Sequence, residues 1–260
     1  MTTDPVRGAY RGAAGSWAED ASLAYVPLAR HLLGRLGGRL PGPEGLDVGA
    51  GTGAVGDVLR ELGARVTSVD LEHDMLLHRH TDRCRALVAD VARLPLRAAV
   101  FDVTVAGFLL NHVADHVTAL RELRRVTRPG GVALASVFAA ERSVAKEAVD
   151  GTLRAFGWTP PHWYDVVRER ADAVGTPALL ESRAAEAGWD DVSVRGVAVA
   201  VGLDEPAAVV RYRLGLAHAS SFVARMTPRE REALTTQAAA AVAATREPFR
   251  PVVLELLAKR

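Results

Sequence analysis

The sequence predicts a doubly wound α/β fold, with a mainly parallel sheet, helices on both of its faces and a helical cap. Three observations carry that prediction. Strand-length apolar runs alternate with helical patterns from about residue 44 to 138. Three glycines, Gly49, Gly51 and Gly53, alternate directly after the first apolar run, where a backbone must turn sharply and leave room for a ligand. After Phe138 the rhythm changes, and aromatics, prolines and helical patterns replace the regular alternation.

In chain order, residues 1–16 are rich in Gly, Ala and Arg and read as loosely structured. Trp17, Ala21, Ala24, Tyr25, Leu28, Leu32 and Leu36 keep mostly to steps of three and four, the pattern of an amphipathic helix. Pro27 is expected to split or kink it. Glycines and prolines at 37–43 break the pattern. Strands are then expected at about 45–48, 65–69, 86–89, 101–106 and 132–138, with helices at 54–62, about 72–80 and 115–127. Residues 140–175 gather Trp158, Pro160, Pro161, His162, Trp163 and Tyr164 in a chain that is only 5% aromatic. Thr176-Pro177 reads as a helix start, with the helix ending near Gly188. A sixth strand follows at about 192–201, and Asp204 or Glu205 before Pro206 starts another helix. Thr227-Pro228-Arg229-Glu230 is a capping box heading an Ala-rich helix to about Arg246. Residues 251–257 read as a last strand. The division expected is 1–43 as an N-terminal cap helix region, 44–139 as the cofactor-binding core, 140–175 as an aromatic cap insert, 176–202 as core, 203–247 as helical cap and 248–260 as the closing strand.

With 260 residues and 49% apolar content, the chain suits one domain carrying a substantial cap. A net charge of +1 gives no global electrostatic reason to expect nucleic acid. Lys146 and Lys259 are the only lysines, and every other base is arginine. With the Ala and Gly excess, that bias reads as a GC-rich coding sequence. Cys84 stands alone, so no intrachain disulfide is available and a reducing compartment is expected. The N-terminus lacks the apolar centre of a signal peptide, and no apolar run approaches the ~20 residues of a membrane-spanning helix. The expectation is a cytoplasmic protein without a membrane partner, monomeric or homodimeric.

The stretch Leu46–Gly56, LDVGAGTGAVG, resembles the first motif of the class I S-adenosylmethionine (SAM)-dependent methyltransferases, D-x-G-x-G-x-G. Gly51–Gly56 also satisfies the dinucleotide fingerprint G-x-G-x-x-G, which leaves an NAD(P)-dependent oxidoreductase as an alternative. Four further places resemble the family in the right order: Asp70 at the end of the second strand, Asp90-Val91 followed by Leu94-Pro95-Leu96, the run 101–113, and the turn Leu123–Gly131. The closest resemblance is to small-molecule enzymes of the ubiquinone and menaquinone type. It implies a Rossmann-like, seven-stranded sheet with its last strand antiparallel, and SAM as the cofactor. It also implies that the glycine loop passes under the methionyl part and that Asp47 steadies the loop and the ligand's amino group. Asp70 would hold the ribose, and Asp90 with Val91 the adenine. The candidate cofactor contacts are Tyr10, Asp47, Gly49, Ala50, Gly51, Gly53, Asp70, Leu71, Asp90, Val91, Gly107 and Phe108.

The fourth strand should deliver Gly107–His112 beside the reacting centre. His112 is the candidate base, since an ordinary histidine titrates near neutral pH. Its bland reading is packing at a helix start. Asn111 and Asp115 read as caps of the next helix, and Asn111 is also a candidate substrate contact. Trp158, His162, Trp163 and Tyr164 are candidates to line the acceptor site, where a flat organic molecule would stack; plain packing is the alternative. His112 and His116 lie one turn apart, but without a third ligand no metal is expected. His73, His78 and His80 read as a solvated helix face. The Asn/Asp-Pro-Pro-Tyr/Phe motif of nucleic-acid amino-methylating enzymes is missing, so no nucleic-acid partner is expected. The expected function is methyl transfer from SAM to a small, aromatic or heterocyclic, metabolite. A protein of this fold that binds or cyclises a small molecule without methylating it is the second reading.

Overall fold

The computed structural model describes residues 4–78 and 85–260. His80, Cys84 and the end of the helix expected at 72–80 lie outside the described residues. The strands are β1 Glu44–Val48, β2 Arg65–Asp70, β3 Ala86–Val88, β4 Phe101–Gly107, β5 Thr127–Phe138, β6 Asp191–Ala198 and β7 Val252–Lys259. Among the described residues they form one seven-stranded sheet in the order β3-β2-β1-β4-β5-β7-β6. Strands β1 to β5 pair in parallel, and β7 runs antiparallel to both of its neighbours. Strand order reverses between β1 and β4, which opens a crevice at their carboxyl ends.

The helices are α1 Ala14–Ser16, α2 Ser22–Leu33, α3 Ala54–Glu61, α4 His73–Leu77, α5 His116–Val126, α6 Val144–Ala155, α7 His162–Asp172, α8 Pro177–Glu186, α9 Pro206–Leu214, α10 Ala217–Val223 and α11 Pro228–Thr245. Side chains alternate across a strand, and that alternation assigns the two faces. Val103 and Val105 of β4 join Leu32 and Leu33 of α2 and Val58 and Leu59 of α3 in one core. Leu46 and Val48 of β1 point the other way, to Leu120 and Leu123 of α5 and Leu180 of α8. A third core lies in the cap, where Val149 and Leu153 of α6, Tyr212 of α9 and Leu234 and Ala238 of α11 close on Val253 of β7.

Several local expectations need correction. Helix α2 runs through Pro27 unbroken, and the irregularity lies upstream, where Trp17–Ala21 form a π-helical turn. Strand β5 begins at Thr127, which pairs with Phe101 of β4, and Gly130 N–H donates to Arg260 O, so the Arg128–Gly131 turn is drawn into the sheet. The 140–175 stretch is mostly regular, built of α6 and α7. Ser143 caps α6, and Ala145, Val149 and Leu153 form its buried stripe. Residues 4–12 are a run of turns, tied to the rest of the molecule where Gly8 N–H donates to Glu72 and Arg170 donates to Asp4. Thr176 caps α8, Thr227 and Glu230 close the capping box of α11, and Glu205 precedes α9 without a side-chain cap bond. His73 and His78 are exposed.

Candidate active site

A cleft of about 300 Å3 lies over the carboxyl ends of β1, β2 and β4. Its floor is the loop after β1. Gly49 and Ala50 both donate their N–H groups to Val69 O, at 2.8 and 2.9 Å. Gly49 has φ +72°, and a Cβ there would stand 2.9 Å from Leu109, so the position takes glycine alone. At Gly51, φ +51°, a Cβ would point at Met75 and Trp17 at 3.5 and 3.9 Å. Both of those residues line the cleft, so the missing side chain leaves ligand space.

Asp70 ends β2 and accepts from Gly51 N–H at 2.7 Å and from Glu72 N–H at 2.9 Å. Burial pushes its carboxyl up, and those two N–H groups pull it back. Asp90 ends the β3 segment and accepts from Ala92 N–H at 2.9 Å, while its other oxygen meets Arg7 at 3.2 Å. Leu71, Val91, Gly107 and Phe108 complete this part of the wall. Phe108 has φ +56°, rare for a bulky side chain. Its N–H donates to Ser136 O at 2.9 Å, which holds the strained turn in place.

The N-terminal turns cross the cleft as a strap. Gly8 N–H donates to Glu72 Oε1 at 2.6 Å, and Arg170 of α7 reaches Asp4 at 3.0 Å and His112 O at 2.6 Å. The Tyr10 hydroxyl lies 3.2 Å from His112 Nε2, and the Asn111 side-chain nitrogen lies 3.0 Å from the same atom. An amide N–H there requires an unprotonated ring nitrogen. Burial, helped by Arg170, pushes His112 down to about 4. Burial likewise pushes the Tyr10 phenol up, so it stays a neutral hydroxyl.

The other singled-out residues are placed as follows. Asp47 is 1% exposed and does not line the cleft. Its Oδ2 would be 3.1 Å from a Cβ on Gly56, so it faces the first turn of α3. Gly53 caps α3 with φ +109°. Asp115, not Asn111, caps α5, accepting from Thr118 N–H at 2.9 Å. Trp158 is buried in the cap core and donates its indole N–H to His218 O at 3.1 Å. Trp163 reaches Tyr10, with ring centroids 5.8 Å apart. Tyr164 stacks on His218 at 4.1 Å, and His162 is exposed at the start of α7. Sequence reasoning missed Arg7, Trp17, Tyr25 and Glu72 as cleft residues. Trp17 and Tyr25 were legible only as part of an apolar helix stripe, although their stacked rings, 5.0 Å apart, form a cleft wall.

A family model described as a methyltransferase domain matches residues 46–135. The chain is 33% identical over 182 residues to a demethylmenaquinone methyltransferase of Beutenbergia cavernae, covering 65% of this chain and 74% of that one. It is 37% identical over 161 residues to a malonyl-[acyl-carrier protein] O-methyltransferase of Serratia marcescens, covering 60% of this chain and spanning 62% of the relative's length. Among solved structures, phosphoethanolamine N-methyltransferase 2 of Haemonchus contortus, in complex with SAM, superposes with a TM-score of 0.62 at 17% identity. That match covers 100% of this chain and 60% of the other, and it speaks for the fold.

Proposed function

This chain belongs to the class I SAM-dependent methyltransferases, and on that premise we propose that it transfers the methyl group of SAM to a small aromatic or heterocyclic metabolite. The observation that carries the proposal is the pairing, in one cleft, of a cofactor floor with an aromatic wall. The floor is the glycine loop with Asp70 and Asp90; the wall is Tyr10, Trp17, Tyr25 and Phe108. The residues fit SAM: the open space over Gly51 admits a ligand, Asp70 offers carboxylate oxygens to a ribose diol, and Asp90 and Val91 border the adenine position. When bound, SAM supplies a methyl group already activated by its positively charged sulfur.

The chain's own part is then placement and exclusion of water. Tyr10 and His112 meet above the floor and narrow it from the strap side, and Phe108 sets the depth of the cleft. Holding two reactants in line supplies much of the acceleration in such a transfer. His112 is neutral at physiological pH, so its ring nitrogen orients or accepts a proton without carrying charge beforehand.

The test is a screen of small-molecule pools for SAM-dependent gain of one methyl mass, with melting temperature followed alongside for SAM and for NAD. Stabilisation by NAD but not SAM would overturn the cofactor assignment. Turnover of a metabolite without mass gain would replace methyl transfer by the cyclising reading.

A further inference from the structure

The chain holds 32 Lys and Arg residues, of which Lys146 and Lys259 alone are lysines. Lys259, at the end of β7, pairs with Asp191 at 3.1 Å, both side chains more than half exposed. Lys146 is different. It lies in the first turn of α6 with Nζ 3.7 Å from the centroid of Phe138 and 5.9 Å from that of Phe249. Among the described residues no carboxylate stands within ion-pair distance of it. Asp150, one turn further along α6, is held bidentately by Arg213 at 2.8 and 2.7 Å. Lys146 is only partly covered, and burial still weighs on its charge.

A chain of aromatic rings runs from Lys146 to the cleft. Phe138 is 4.6 Å from Phe108, and Phe108 is 5.1 Å from Tyr25, the last two being cleft residues. The groups that face Lys146 from the elements around it are Asp150 on its own helix, Arg213 of α9 and His218 of α10. Helix α11 presents Leu234, Ala238 and Val242 as its buried face. Burial and Arg213 bring the Lys146 ammonium down to about 7. Arginine, the default base of this chain, keeps its proton and its broad fork, whereas lysine presents one compact, adjustable charge. An unpaired ammonium held against a ring is poorly satisfied until an anion reaches it.

We propose that Lys146 receives an acidic group of the methyl acceptor, so that the acceptor is an aromatic organic anion of the carboxylate class. Its ring lies against Phe108 and Phe138, and its carboxylate meets the Lys146 ammonium. This inference rests on the methyl-transfer reading of the same cleft.

The test exploits the two lysines. Protein carrying 13C at lysine Cε gives two signals, assigned with Lys259→Arg. Benzoate, 4-hydroxybenzoate and indole-3-acetate, each with its uncharged amide, are titrated into the free protein and into protein saturated with S-adenosylhomocysteine. We expect the Lys146 signal to titrate near neutral pH and to move to higher pH with an acid but not with its amide. At least one acid should bind about 10- to 100-fold more tightly than its amide, the range for a charged hydrogen-bond partner. Lys146→Met should erase that preference and Lys146→Arg keep part of it, with SAM affinity unchanged in both. Equal or absent binding of all three acids and amides overturns the proposal, as does a preference that survives in Lys146→Met. Failure of the unmodified protein to bind SAM strikes the methyl-transfer reading instead, and the acid and amide titrations of the free protein still decide the role of Lys146.

Discussion

At the residue scale, three side chains are set by burial more than by their neighbours, and each gives a measurable consequence. Asp70 organises the loop through Gly51 N–H and is the expected ribose partner. Asp70→Ala should weaken SAM binding by about 1.5–3 kcal/mol, read by calorimetry; unchanged affinity in a folded variant would remove it from the site. His112, at about 4, should itself lower activity only toward pH 4, so an inflection near pH 7 belongs to Lys146 and should vanish in Lys146→Met. If it serves as a base, His112→Gln should lower turnover by about 10²–10⁴-fold with SAM affinity intact. A near-native His112→Gln enzyme would leave positioning as its role. Lys146, at about 7, lies below its unfolded value of about 10.4. The folded chain therefore releases that proton first, and stability is lost as pH falls from about 10 to 7. Removing that ammonium should thus stabilise: Lys146→Met should add ~1–4 kcal/mol of folding free energy at pH 7, read as a higher melting temperature. A destabilised variant would make the lysine a packing residue.

At the element scale, the cap divides what the sequence made legible from what it hid. The strands of the sheet announce themselves because each is an apolar run bounded by Gly, Pro or Asp, and β1, β2 and β4 lie within one or two residues of their expected bounds. Helix α6 was equally encoded: Ala145, Val149 and Leu153 recur every four residues behind Ser143. The cluster of Trp158 with paired prolines reads as an aromatic insert, and Gly157 and Pro160-Pro161 separate its two helices, α6 and α7. The start of β5 was hidden for another reason, since Arg128–Gly131 reads as a turn until Arg260, 130 positions away, supplies its partner. Leu153 is fully buried in the cap core, and Leu153→Ala should cost about 2–5 kcal/mol in denaturant unfolding. A cost below 0.5 kcal/mol would mean that the cap core closes over the gap.

At the scale of the whole molecule, the glycine-loop floor and the aromatic wall of the cleft are built on different cores, and only the first follows local sequence rules. Glycines and acids at strand ends are short-range signals, which is why the floor of the cleft was readable. The convergence of Tyr10, Trp17, Tyr25 and Trp163 joins residues as far apart as positions 10 and 163 and follows from tertiary packing alone. The same packing sets the acid response. His112, His116 and His218 are all pushed below the usual histidine range by burial. The unfolded chain, titrating near 6.5, takes up those protons first, so stability should fall as pH drops from about 6.5 toward 4. A flat melting temperature across that window would contradict the three buried sites.

The strap touches both halves of the cleft at once, through Glu72 and Asp90 on one side and through Arg170 and His112 on the other. A single segment fastened at both ends would act as a gate common to two ligands. Neither product of a turnover would then leave without undoing contacts that also retain the other. Release, not chemistry, should then limit steady cycling, and rapid mixing should reveal a first turnover faster than those that follow. Cutting the strap's fastenings, as in Glu72→Ala with Arg7→Ala, should flatten that burst while raising the rate at which S-adenosylhomocysteine escapes.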